Sequence, residues 1–220
     1  MRYATFDCYG TLIDWNAGIR SELARLFGED DADELLKRYH ELEPRVQAED
    51  PGKRYRDVMA EVLRLLAKER KRRLKKDERD ALGRSLPKWG AFPEVPRALA
   101  EVQQRGWRLG LLSNSDPDLI EASMRHLGID FRFVVVASEI GSYKPAPGHW
   151  ERFAEEAGAD RARHVHVAAS VYHDIRPARS LGILSVWINR NGEQTEYKPT
   201  RELPDLSALP DTLDELVPAA

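Results

Sequence analysis

Side chains of reactive type recur in this sequence directly behind short apolar runs. Asp7, Tyr9 and Thr11 follow residues 3–6 in "FDCYGTLID" (6–14), and Ser113 and Asn114 follow 109–112. Tyr143 and Lys144 stand in the loop after 133–137, and Ser170, His173 and Asp174 follow 165–168. A carboxylate placed like Asp7 can cap a turn or act as a reacting group. A lysine beside it would keep it ionised, and a histidine can exchange a proton near neutral pH. Each has an ordinary structural use as well. Asp, Ser, Thr and Asn after a strand are frequent helix caps, and a loop lysine or a helix-start histidine is often only structural.

What would bring these residues together is the arrangement of the apolar runs. The runs 3–6, 109–112, 133–137, 165–168 and 184–188 are near-continuous rather than alternating, as in parallel strands covered on both faces. Helical patterns over 95–105, 119–127, 149–157 and 175–181 separate the later runs. Gly106, Gly128, Gly158 and Gly182 punctuate their ends. Strand and helix in alternation predict an α/β fold, a Rossmann-like doubly wound parallel sheet. In such sheets ligands bind beyond the carboxyl ends of the strands, where all the residues above would gather.

Residues 15–90 break the alternation and read as helices only, including 32–47 and 55–66. The expected organisation is a catalytic core of 1–14 and 91–220 with a helical cap of 15–90 inserted after the first strand. The charged run "KERKRRLKKDERD" (68–80) reads as a solvated face, since acidic residues interrupt it. The proline-bearing tail from Lys198 is expected to wrap the core surface.

Composition narrows the function classes. The 220 residues are 42% hydrophobic and 32% charged, with a formal net charge of −3. That suits a globular protein and gives no electrostatic reason to expect nucleic acid or an acidic membrane as partner. The single cysteine, Cys8, excludes an intramolecular disulfide and a cysteine zinc cluster. No long apolar segment suggests a signal peptide or a membrane span, so a cytoplasmic protein is expected.

Taken together, the four polar segments resemble the motifs of the haloacid dehalogenase superfamily. "FDCYGTLID" resembles the first motif, with Asp7 as nucleophile. "LLSNS" (111–115) resembles the second, with Ser113 in the hydroxyl position, and "SYKPAP" (142–147) the third, with Lys144. "HVHVAASVYHDIRPARSLGI" (164–183) resembles the fourth, with Asp174. Phosphatases of that superfamily carry a second Asp two residues after the nucleophile, which protonates the leaving alkoxide. Here Tyr9 stands in its place, and Ala169 stands where a further acidic Mg²⁺ ligand is usual. A halide leaves without a proton, and Asp, then Tyr, then Gly-Thr-Leu resembles the L-2-haloacid dehalogenases. That resemblance implies metal-independent conversion of a 2-haloacid, a small carboxylate, to a 2-hydroxy acid through an aspartyl ester on Asp7, with no cofactor. Mg²⁺ would be required under a phosphatase alternative. A non-catalytic relic that binds a small acid is a third reading.

The resemblance implies further roles. Lys144 would pair with Asp7, and Thr11 would hydrogen-bond Asp7 or the turn. Asp174 would orient water or hold Lys144, His173 could act as base, and Ser170 would bond near Lys144. Ser113 and Asn114 would meet the substrate carboxylate, although Asn114 could equally cap the next helix. Arg38 is expected to reach the substrate from the cap, with Arg20 and Arg45 as rivals, and Trp150 to line the site unless it is a core tryptophan. The dehalogenases carry Ser and Asn where this chain has Ala169 and Val171, which puts ester hydrolysis in question. Dimerisation is common in that family, and a homodimer is compatible with this chain.

Overall fold

The computed structural model describes residues 1–50 and 52–219. Among these, six parallel strands form one sheet: β1 (Arg2–Phe6), β2 (Trp107–Ser113), β3 (Phe133–Val136), β4 (His164–Ala168), β5 (Leu184–Ile188) and β6 (Arg201–Leu203). Their spatial order is β3-β2-β1-β4-β5-β6. Every residue of β1 and β4 is buried, as expected where helices cover both faces. The order of connections reverses between β1 and β4, so the crevice beyond their carboxyl ends is the expected ligand position.

The chain leaves β1 into three long helices, α1 (Trp15–Phe27), α2 (Glu29–Glu49) and α3 (Tyr55–Glu69), and a short one, α4 (Ala81–Ser85). Asp14 caps α1 by accepting from the Ala17 N–H at 3.0 Å. Glu29, Asp30 and Asp31 fill the first turn of α2, where carboxylates complement the helix dipole. The insert enters and leaves the core side by side: Asp14 N–H donates to the Gly90 carbonyl, and Phe92 N–H to that of Leu12. Gly18 on α1 lies flat on Trp89 at the exit, where any Cβ would fall 2.2 Å from the indole. The start of α3 is tied to the core differently. Tyr55 and Arg56 donate their backbone N–H groups to the fully buried carboxylate of Asp116, at 3.1 and 3.0 Å.

Helices α5 (Val95–Gln104), α6 (Pro117–Met124), α7 (Ala137–Ile140), α8 (Gly148–Ala157) and α9 (Arg176–Ser180) connect the later strands, and α10 (Leu209–Leu216) closes the described chain. One buried apolar cluster runs from β1 through the insert helices to α5 and α10. The run 68–80 is mostly exposed beyond the end of α3, although Glu78 turns inward to meet Arg72 at 3.0 Å. Two features differ from the sequence expectation. The tail does more than wrap the core, because it adds β6 beside β5 and packs Leu206, Leu209 and Leu213 into the apolar interior. The helix expected over 175–181 is preceded by a wider, π-helical turn at Val171–Ile175. No helix of the described residues is long and apolar enough to cross a membrane.

Candidate active site

The turn after β1 sets Asp7 at the crevice. Leu12 and Ile13 N–H both donate to the Cys8 carbonyl, and Gly10 (φ 85°) takes the left-handed conformation that the reversal needs. This folds Thr11 back onto Asp7. Its hydroxyl donates to Asp7 Oδ2 at 2.9 Å and accepts from the Ala169 N–H at 2.9 Å, joining the first and fourth strand ends. The Lys144 ammonium donates to Asp7 Oδ1 (2.8 Å), Asp174 Oδ1 (2.7 Å) and the Leu112 carbonyl (2.9 Å). Asp7, Thr11, Lys144 and Asp174, singled out separately in the sequence, thus form one buried cluster.

The electrostatics follow from burial and a shared cation. Burial opposes ionisation of Asp174, but Lys144 and then His166 outweigh it and hold this carboxyl well below its ordinary range. Asp7 is pushed the other way: burial raises it, Asp174 adds to that, and Lys144 and Thr11 only partly offset both. Burial would lower Lys144, but its two carboxylates reverse the direction and keep it charged. One ammonium therefore serves two carboxylates, of which Asp7 is the more basic.

Behind Asp174 runs a chain of buried polar groups. His166 Nε2 lies 2.9 Å from Asp174 Oδ1, Thr5 Oγ1 lies 2.9 Å from His166 Nδ1, and His164 Nε2 lies 2.7 Å from Thr5 Oγ1. An ionised carboxylate only accepts, so His166 donates from Nε2. The Thr5 hydroxyl in turn bridges His166 Nδ1 and His164 Nε2. Burial pushes His164 down to about 3, which keeps it neutral. Sequence reasoning missed His166, yet a signal was there: in "HVHVA" the polar residues alternate on one face of a strand that is otherwise apolar.

A cavity of about 650 Å³ opens over this cluster. Asp7, Tyr9, Ser113, Asn114, Lys144, Ser170, His173 and Asp174 all line it, as do Ala169 and Val171. Several side chains act differently from expectation. Asn114 clamps the Lys144 backbone: its side chain accepts from Lys144 N–H at 2.6 Å and donates to the Lys144 carbonyl at 2.9 Å. Ser170 does not bond near Lys144. It accepts from the His173 N–H and sits 3.1 Å from His173 Nδ1. Burial lowers the His173 imidazole, which favours its neutral form. Ser123 donates to the Leu119 carbonyl, so the Tyr9 hydroxyl donates to Ser123 at 3.1 Å. Burial holds that phenol well above its ordinary range.

Two expected site residues lie elsewhere. Arg38 is on the outer face of α2, paired with Glu69 at 2.7 Å and Glu41 at 2.5 Å. The α2 residues that line the cavity are His40, Glu43, Pro44 and Gln47, and at 100° per residue Arg38 points well away from them. Neither rival replaces it, since Arg20 pairs with Asp33 and Glu29, and Arg45 is exposed. Trp150 is a core residue on α8, packed with Tyr3, Leu112 and Phe153, its ring 5.3 Å from that of His166. The arginine that does line the cavity is Arg190, two residues past β5. It lies 3.6 Å over the Phe92 ring and donates to the Thr11 carbonyl (3.0 Å) and to Glu94 (2.7 Å). The strand-end rule would have found it had the fifth run been followed past its last residue.

Glu43 is 6% exposed and, among the described residues, pairs only with Gln47 Nε2. Burial alone pushes its carboxyl from the ordinary 4.5 up to about 8. Between those values the folded state holds a proton that the unfolded state has lost, so this group makes stability fall as pH rises from about 4.5 to 8. Glu43→Gln is expected to remove that slope, gaining on the wild type by an amount on the order of 4 kcal/mol by pH 8. Urea unfolding of both proteins at several pH values across the window checks it, and parallel curves would contradict it.

No group of three or more His, Cys, Asp or Glu side chains among the described residues is placed to hold a metal. The two carboxylates nearest that role are bridged by Lys144, and Ala169 has no donor atom in its side chain.

Comparison with known proteins accords with this geometry. The chain is 32% identical over 123 residues to the (S)-2-haloacid dehalogenase of Pseudomonas sp. (strain YL), covering 54% of this chain and 53% of that one. It is 31% identical over 131 residues to the phosphoserine phosphatase of Thermus thermophilus, covering 58% and 53%. These matches span about half the length of each relative. In fold it resembles the crystal structure of the L-2-haloacid dehalogenase RSc1362, with a TM-score of 0.86 and 24% identity over 97% of this chain and 99% of that one. The family model for haloacid dehalogenase-like hydrolases matches residues 1–182, from the first strand through the Asp174 segment. The chain belongs to the haloacid dehalogenase-like hydrolase family.

Proposed function

We propose that the protein hydrolyses the carbon–halogen bond of small 2-haloacids without a metal, through an ester on Asp7. The observation that carries this reading is the engagement of Tyr9. Its hydroxyl is bonded to Ser123 and hard to ionise, so no acid stands two residues after Asp7 to protonate a leaving alkoxide. A halide departs as a stable anion and needs none. In the first step an Asp7 oxygen attacks C2, the C–O bond forms, and halide leaves with the bonding pair, inverting the carbon. In the second, water adds to the Asp7 carbonyl carbon while His173 accepts its proton. The acyl–oxygen bond then breaks as His173 returns that proton to the departing oxygen, the 2-hydroxy acid leaves, and Asp7 loses its own proton to solvent and is restored as carboxylate. Lys144 provides the fixed positive charge at both stages, and the chain ending in Asp174 holds it in place. Ser113 and Arg190 suit the substrate carboxylate, the insert over residues 15–90 serves as cap, and the remainder is the catalytic core.

The similarity to a phosphoserine phosphatase favours one competing reading, a Mg²⁺-dependent phosphatase. Incubation with L-2-chloropropionate and bromoacetate in EDTA separates the two. Halide release and an ester adduct on Asp7 are expected. Absence of both, together with Mg²⁺-dependent release of p-nitrophenol from its phosphate, would replace this proposal with the phosphatase.

A further inference from the structure

The roof of the cavity is built for a group that the floor does not explain. Besides Lys144 and Asp7, the cavity is lined by Glu43 and Gln47 of α2 and by aromatic residues that include Tyr9, Trp15 and Tyr55. The Tyr9 and Tyr55 rings are stacked with centroids 6.2 Å apart, and Trp15 donates its Nε1–H to the Tyr55 hydroxyl at 3.0 Å. Five carboxyl side chains, Asp7, Asp14, Glu43, Asp174 and Glu193, line the cavity against two permanent cations, Lys144 and Arg190. Both cations are already paired, Lys144 with Asp7 and Asp174 and Arg190 with Glu94. Glu43 has no such partner. The side chains that titrate around it are the phenols of Tyr39, Tyr55 and Tyr143, which stay neutral, and His40, which burial lowers.

A buried carboxyl without a cation, sharing a ligand-sized cavity with aromatic side chains, is an arrangement suited to an ammonium group. We infer that the cavity roof at Glu43 is an ammonium subsite, so that the substrate carries a positively charged nitrogen distal to the carbon that Asp7 attacks. Combined with a carboxylate-bearing substrate, which rests on the proposed function, the ligand is an amino acid whose amine and carboxylate lie at opposite ends. Burial raises the Glu43 carboxyl to about 8, so it holds a proton at neutral pH. An arriving ammonium favours the ionised form, so the proton leaves as the ligand enters.

The test uses unreactive ligands and calorimetry on the whole chain, so it does not depend on turnover. At pH 7, 4-aminobutyrate, 5-aminopentanoate and 6-aminohexanoate are compared with the hydroxy acids of equal length, and butylammonium with butanol. The ammonium member of the best-fitting pair is expected to bind about tenfold tighter. Buffers of different ionisation enthalpy should show release of about one proton per ligand. Glu43→Gln should abolish both effects. If only butylammonium shows them and the amino acids do not, the subsite stands and the carboxylate part of the functional reading fails. Equal binding of ammonium and hydroxyl ligands to the wild type overturns the subsite, whether or not the variant folds. So does an ammonium preference that survives in Glu43→Gln.

Discussion

Asp7→Asn is expected to end turnover while leaving the fold at least as stable as the wild type. An amide cannot displace halide, and loss of a covalent nucleophile costs on the order of 10⁶-fold in kcat. Stability should move the other way. The folded protein raises the Asp7 carboxyl, mainly by burial and then by Asp174. Its ionised form at neutral pH is therefore worse accommodated in the fold than in the unfolded chain. Asparagine removes that charge and leaves Lys144 and Asp174 as a neutral pair. Halide release and a melting curve on the same preparation check both halves. A variant with wild-type activity would remove Asp7 from the mechanism. A large fall in melting temperature would mean that its carboxylate is structural.

Lys144→Met should produce the largest loss of stability, about 3–5 kcal/mol, together with loss of activity. Methionine fills the space of the lysine stem but leaves Asp7 and Asp174 buried without the ammonium they share. The pH dependence contributed by Asp174 should change sign, while that of Asp7 keeps its sign and grows. In the wild type, Asp174 is held below its ordinary value. Its contribution to stability is present above that value and is lost as pH falls through the depressed one. In the variant both carboxyls are raised by burial, so acidification toward their ordinary range restores part of the loss. Urea unfolding at pH 7 and pH 5 measures this, and a difference below about 1 kcal/mol at pH 7 would contradict it.

The parts of the molecule that could be read from sequence are those where one physical cause dominates. Five strands are visible because strands buried on both faces must be apolar throughout. The sixth, "REL", exposes Arg201 and Glu202, and only its pairing with β5 defines it. The cluster around Lys144 was legible because parallel strands deliver their following residues to one edge. Arg38 misled for a specific reason. On α2 the buried positions Leu35, Tyr39, Leu42 and Val46 mark the core face, but the cavity face and the solvent face are both polar. Hydropathy cannot tell a polar residue facing substrate from one facing water. Asn114 was legible as a polar residue in the right place, but its use as a clamp on the Lys144 backbone depends on a contact thirty positions away.

The tie between Asp116 and the first turn of α3 has a mechanical consequence. That helix has no capping side chain of its own, because its leading N–H groups are answered by a carboxylate from the opposite body. Any tilt that lifts α3 away from the sheet strips the helix of its cap, at about 1 kcal/mol. Unlatching and fraying are therefore one event, and the same carboxylate that steadies a helix end ties that end to the sheet.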